Sequence, residues 1–139
     1  MSQAAQDSRR EAAPRIPGYR LEAVIGRGST GIVYRAVQLS VDRPVALKVL
    51  RRELVGTPKA VTRMQREARN TARLSHPNVI GAIDMGEVDG RWWYAMELVD
   101  GESLAQRIRR QGALSEREAL RYFIPIADAL VHFDEHRIV

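Results

Sequence analysis

Apolar and polar residues alternate from Tyr19 to Glu22, and the period of two predicts a strand over 19–25. A second strand is predicted over 31–37, where Ile32, Val33, Tyr34 and Val37 are β-branched or aromatic. Residues 26–29 read as a glycine turn between them, and 39–43 as another turn. Residues 45–50 form a third strand of nearly continuous apolar character. The period then changes. Val61, Met64, Ala68 and Ala72 recur at steps of three and four, one stripe of a helix over 58–74. Thr57 stands at its cap and Pro58 at its first position. The stretch LSHPNVI ends that helix. Two more strands follow, over 79–86 and 91–98, joined by a turn at 87–90, then a short helix over 103–110. Ser115-Glu116-Arg117-Glu118 is a capping box that opens a last helix with a stripe of Leu120, Phe123, Ile124, Ala127, Leu130 and Val131. Pro125 lies inside it, where a proline costs ~3 kcal/mol and predicts a bend or a fresh start. Trp92 and Trp93, neighbours on a strand, should face opposite ways, one into the core.

Composition narrows the class. The 139 residues suit one domain, and 45% apolar content supports a packed core. Residues 1–18 are polar and basic and read as a flexible tail. Cysteine is absent, which excludes disulfides and thiolate metal sites and fits a reducing, cytoplasmic setting. No apolar run approaches membrane-spanning length, and the first residues lack the apolar core of a signal peptide. The net charge of +5 is spread over the tail, two helices and loops. It reads as a solvated basic surface, and no nucleic-acid partner is expected. His76 in LSHPN reads as a turn-fixing residue. His132 and His136 are not read as metal ligands, because no carboxylate or histidine completes a cluster, and no metal site is expected in this chain.

The glycine turn carries the chemistry. Gly26, Gly28 and Gly31 in IGRGSTGIVYRA fit three phosphate-binding loops in principle. A P-loop needs Lys followed by Ser or Thr after its last glycine, and Gly31 is followed by Ile32 and Val33. A dinucleotide fingerprint needs a helix to open at its third glycine, and a strand follows here. A glycine hairpin folded over a nucleotide's phosphates needs G-x-G-x-x-G-x-V and a later strand lysine. The chain supplies Val33 and then Val45-Ala46-Leu47-Lys48. Missing side chains let backbone amides approach phosphate oxygens. Ile25 and Val33 flank the turn as an apolar lid for a flat base. Lys48 ends a greasy strand, a costly place for an ammonium without an anion. An ordinary hairpin explains the glycines alone, and a snorkelling side chain explains Lys48 alone. Their order and placement together favour the phosphate site.

With IGRGSTGIVYRA, VALKVL, REARNTARLSHPNVI and MELVDGESL, the chain resembles a protein kinase, specifically the bacterial serine/threonine kinases of eukaryotic type. The resemblance runs from about Tyr19 to the last residue. It implies an α+β fold, a kinase-like small lobe of five antiparallel strands with one regulatory helix, followed by the first helices of a truncated helical lobe. It divides the chain into the tail, a small lobe over 19–98, and a hinge with the start of the second lobe over 99–139. The resemblance implies that Lys48 grips the α- and β-phosphates of ATP and pairs with Glu67. Glu67 lies about 60° round its helix from Met64, at the edge of the apolar stripe, with Arg63 at i−4 as its other potential partner. Met96 would stand at the back of the adenine pocket. The carbonyl of Glu97 and the N–H of Val99 would bind the adenine edge, and Ala46 would pack on the ring. Asp100 and Glu102 would meet the ribose or stay exposed, with exposure favoured.

The family's H-R-D aspartate, its asparagine and its D-F-G aspartate are not in this sequence. Thus no catalytic residue is assigned here, and the ligands of Mg²⁺ are expected beyond residue 139. His136-Arg137-Ile138-Val139 reads as the run-up to the catalytic loop of a chain cut short. The expected function is the N-terminal fragment of an ATP-dependent serine/threonine protein kinase, inactive by itself and with an unidentified protein substrate. The alternative is a stand-alone pseudokinase or scaffold module that binds nucleotide without catalysis.

Overall fold

The computed structural model describes residues 13–136. The strands are β1 (Tyr19–Arg27), β2 (Gly31–Gln38), β3 (Arg43–Leu50), β4 (Ala82–Val88) and β5 (Arg91–Glu97). They form one antiparallel sheet in the order β1-β2-β3-β5-β4. Helix α1 (Pro58–Ala72) connects β3 to β4, and α2 (Leu104–Gln111) and α3 (Glu116–Glu135) follow β5.

The continuous apolar run of β3 is explained by cover on both faces. Val45, Leu47 and Val49 join Ile32, Tyr34, Trp93 and Ala95 in a core on one face. On the other face Leu50 and Tyr94 pack against Ala60, Met64 and Ala68 of α1. Side chains alternate along a strand, so Ala46 and Lys48 share the α1 face with Leu50. Trp93 is buried against Tyr19, ring centroids 5.2 Å apart, while Trp92 packs against the α1 cluster. Gly86 makes room for that indole: a Cβ there would stand 2.7 Å from Trp93 Cζ2.

Several boundaries differ from the sequence expectation. Ile16, assigned to the tail, is buried in the first core, and Tyr19 N–H donates to its carbonyl at 3.1 Å. Residues 1–12 of that tail lie outside the described residues. Strand β4 starts at Ala82, because Gly81 closes the preceding loop on Glu97. The Glu97 N–H donates to Gly81 O at 3.0 Å, and the Gly81 N–H donates to Glu97 Oε2 at 3.1 Å. The β4–β5 turn tightens to Asp89-Gly90, both at positive φ (51° and 73°), the two-residue hairpin geometry that matches strand twist.

Thr57 caps α1 by position, but its side chain makes no capping bond; its carbonyl accepts from Ala60 and Val61 N–H. Of the expected stripe, Met64 and Ala68 are buried, Val61 is half-buried and Ala72 is exposed, while Ala60, outside that stripe, is buried. At the last turn Ala72 faces an open cleft beside Ala82 and Ile83. The Ser115–Glu118 box is present, and a second one joins Ser103 and Gln106 at the start of α2. Helix α3 runs unbroken through Pro125, so it does not start anew there. Its neighbours on both sides carry the helix past one missing donor. Much of its apolar stripe is exposed, including Phe123, Ile124, Leu130 and Val131, and Ala129 is its buried residue among those described. No helix among the described residues is long and apolar enough to cross a membrane.

Candidate functional site

Strand register assembles the site. Gly26 of β1 pairs with Val33, Val33 with Lys48, and Lys48 with Tyr94, one rung across four strands. Two positions along, on the same face, the rung runs from Arg35 through Ala46 to Met96. A bulge in β1 between Val24 and Gly26 leaves Ile25 off register and half exposed at the rim. Bulges re-aim side chains in this way.

At the centre of the first rung, Lys48 Nζ lies 2.8 Å from Glu67 Oε1 and 3.0 Å from Oε2. The Tyr94 hydroxyl donates to the same Oε1 at 2.5 Å. Lys48 Nζ also stands 5.8 Å from the Tyr94 ring centroid, within cation–π range. Partial burial of the Glu67 carboxylate pushes its pKa up. The hydrogen bonds from Lys48 and Tyr94, with the charges of Lys48 and Arg63, outweigh burial and hold it below the usual range. Burial, and then the bond to Glu67, push the Tyr94 phenol well above its ordinary value, so it stays a donor. Arg63 acts on Glu67 through charge, while the close contacts come from the sheet.

The glycine turn differs in detail from its sequence reading. The Gly28 N–H is committed to Gly31 O at 2.9 Å. The Gly28 carbonyl accepts from Arg51 Nε at 2.9 Å, and Arg51 N–H donates to Thr30 O at 3.1 Å. Gly31 is buried, and a Cβ there would lie 2.8 Å from Val49 O and 3.2 Å from Lys48 Cγ. Its missing side chain makes room for β3 and the Lys48 stem. Gly26 and Gly28 have ordinary space around a notional Cβ.

Ala46 is buried on β3. Met96 lines a cavity of about 440 Å³ with Glu67, Tyr94 and, from α3, Ile126, Leu130 and Phe133. Glu97 ends β5, and Val99 is exposed in the irregular segment after it. Asp100 is exposed at 3.7 Å from Arg35, and Glu102 pairs with Arg110.

His76 fixes a turn: its Nδ1 accepts from Asn78 N–H at 3.1 Å, and its carbonyl accepts from Val79 N–H. Its Nε2 is then the protonated nitrogen and donates to Asp128 Oδ2 at 3.0 Å. The expectation that His132 and His136 lack partners is corrected. Helical spacing brings His132, Glu135 and His136 together, with candidate ligand atoms within 4.8 Å of one another. Nδ1 of His136 is engaged by the His132 carbonyl at 2.8 Å. Residues 137–139, the last of the expected run-up, lie outside the described residues.

Tyr94 and Arg51 were not singled out from sequence. A tyrosine in a buried apolar strand beside Lys48 was the available signal for the first; nothing local marks the second.

The protein kinase domain family model matches residues 19–139. The chain belongs to the protein kinase domain family. Among its relatives are the serine/threonine-protein kinase pkn3 of Myxococcus xanthus, 45% identical over 81% of this chain, and PrkC of Bacillus subtilis, 36% identical over 90% of it. The chain spans about a fifth of the length of these relatives (21% and 19%). The crystal structure of the Mycobacterium tuberculosis PknI kinase domain aligns with a TM-score of 0.74 at 31% identity, covering 86% of this chain and 49% of that one. The five-stranded sheet followed by helices is thus the fold of a protein kinase domain, and its relatives are bacterial serine/threonine kinases.

Proposed function

We propose that this chain is the ATP-binding part of a serine/threonine protein kinase, with a small lobe over 19–98 and the start of the second lobe over 99–139. The observation that carries the reading is the Lys48–Glu67 pair, 2.8 Å apart on the rung that continues through Val33 to the glycine turn. The Lys48 side chain is only 15% exposed. A buried ammonium needs an anion, and Glu67 holds it beside the turn where triphosphate oxygens would enter. Lys48 binds the α- and β-phosphates. Ile25, Val33 and Ala46 enclose the adenine, Met96 closes its back, and the Glu97 carbonyl and Val99 N–H read its edge. Phosphate competes with the Gly31 carbonyl for the Gly28 N–H, so nucleotide binding is expected to open that turn, while Gly26 and Gly31 set its approach.

Among the described residues, Glu67 is the carboxylate at Lys48, and it already accepts from Lys48 and Tyr94, so it is not assigned to Mg²⁺. Phosphoryl transfer to a protein substrate is a property of the whole kinase, expected in the cytoplasm where ATP is supplied. The test is titration of the chain with a fluorescent adenine nucleotide. Saturable binding that Lys48→Met weakens at least tenfold supports the reading; equal binding by both chains refutes it.

A further inference from the structure

The core around Tyr94 needs only its volume. The residue is 3% exposed and packed with Leu50, Ala60, Met64 and Ala68, and an aliphatic or phenyl side chain would fill that space. The hydroxyl is additional, and it is aimed at one atom, Glu67 Oε1, at 2.5 Å. That oxygen also receives Lys48, whereas Oε2 receives Lys48 alone at 3.0 Å. Tyr94 is paired in register with Lys48, so ammonium and phenol are held side by side by the sheet. Glu67 comes from another element, α1.

We propose that Tyr94 is a positioning residue of the nucleotide site: its hydroxyl tethers Glu67 to the sheet independently of Lys48. The proposal rests on the reading of Lys48 and Glu67 as the phosphate-gripping pair. When a phosphate draws Lys48 away, a carboxylate held by the lysine alone loses its only inward donor and is free to turn out with α1. Here Tyr94 remains as a second donor, so Glu67 stays at the sheet beside β5, within reach of the ammonium when it returns. The phenol cannot replace Lys48, since it is neutral. The titratable and charged groups facing the Glu67 carboxylate are Lys48 from β3, Tyr94 from β5 and Arg63 from α1; the α3 residues across the adjoining cavity, Ile126, Ala129, Leu130 and Phe133, are apolar.

Tyr94→Phe tests this with little change of shape. Two readouts are taken on the full chain: the Glu67 carboxyl titration by carbon NMR, and the affinity for ADP. The expected result is a Glu67 midpoint moved upward toward an ordinary glutamate, with ADP binding weakened about three- to tenfold: the lost bond reaches ADP only through Glu67, so its worth to the affinity is that of an ordinary net hydrogen bond. Lys48→Met is run beside it. If Lys48→Met weakens ADP binding and Tyr94→Phe leaves both the Glu67 midpoint and ADP affinity unchanged, the tether is refuted and the nucleotide site stands. If Lys48→Met binds ADP like the parent, the nucleotide site itself is refuted, and the role given to Tyr94 falls with it. A Tyr94→Phe chain that is merely less stable, with midpoint and affinity intact, shows a packing role and overturns the proposal.

Discussion

Gly31→Ala is a sharp probe of why the glycine turn has its third glycine. The new methyl group would meet Val49 O at 2.8 Å, with Lys48 Cγ at 3.2 Å and Cε at 3.3 Å. The first contact is to backbone in the middle of the sheet and cannot swing away; the other two press on the lysine stem. Relief requires β2 and β3 to part by about half an ångström, and overpacking of this kind costs about 1–3 kcal/mol. Since the strain falls on a central pair of strands, the upper half of that range is expected, about 2 kcal/mol. Gly28→Ala is the control, because a Cβ there meets nothing closer than Gly31 O at 3.8 Å. Its cost should stay within about 0.5 kcal/mol, as for a substitution that clashes with nothing. Urea unfolding followed by tryptophan fluorescence measures both, with equal slopes as the condition for comparison. If Gly31→Ala is as stable as Gly28→Ala, the close approach of β3 is not what requires a glycine at 31.

Gly86→Ala drives a methyl into the Trp93 indole at 2.7 Å and should cost about 1–3 kcal/mol, with a changed near-ultraviolet tryptophan signal; an unchanged signal and midpoint would contradict the packing described. Arg51→Ala removes the donor to Gly28 O, so amide exchange over residues 28–31 should quicken while β3 stays protected. Burial, then the hydrogen bond to Asp84, raises the Tyr19 pKa to about 12. A folded pKa above the unfolded value gives stability that is complete below the unfolded tyrosine pKa of about 10 and is lost as pH rises through about 12. Tyr19→Phe should flatten that alkaline loss in denaturation curves measured across the window. Glu67 has the opposite sign: its folded pKa is depressed, so its contribution is present above the unfolded glutamate value and vanishes as pH falls through the folded one. Glu67→Gln should be less stable than the parent at neutral pH and should close that gap in acid; a gap independent of pH would contradict the pairing.

The strands, the glycine turn and the helices were legible because each rests on local signals: β-branched runs, glycine spacing, a capping box. Lys48 and Glu67 were legible as candidates through their place in ordered motifs. What escaped were features decided between distant segments. Ile16 reads as tail beside Pro14 and Pro17, yet the first core takes it in. Ala68 and Ala72 both carry the helix period, but only the sheet's extent decides which is covered. Gly31 reads as a phosphate-approach residue, while the crowding that demands it comes from Val49 and Lys48 across the β2–β3 pair. Tyr94 reads as one more aromatic strand residue, and its chemistry depends on a carboxylate 27 positions away. The partners of His132 and His136 are a local helical matter, legible in the i, i+3, i+4 spacing of His132, Glu135 and His136.

The bond from His76 to Asp128 fastens the loop after α1 to the middle of α3. The irregular stretch from 98 to 103 is the covalent joint between the sheet and the two later helices. Any swing of α3 about that joint must pivot near the histidine or tear it loose. Asp128 lies 12 positions from Glu116, a lever of about 18 Å at 1.5 Å per residue, so a turn of about 10° would carry the Glu116 end of the helix about 3 Å while leaving Ala129 beside the fulcrum nearly still.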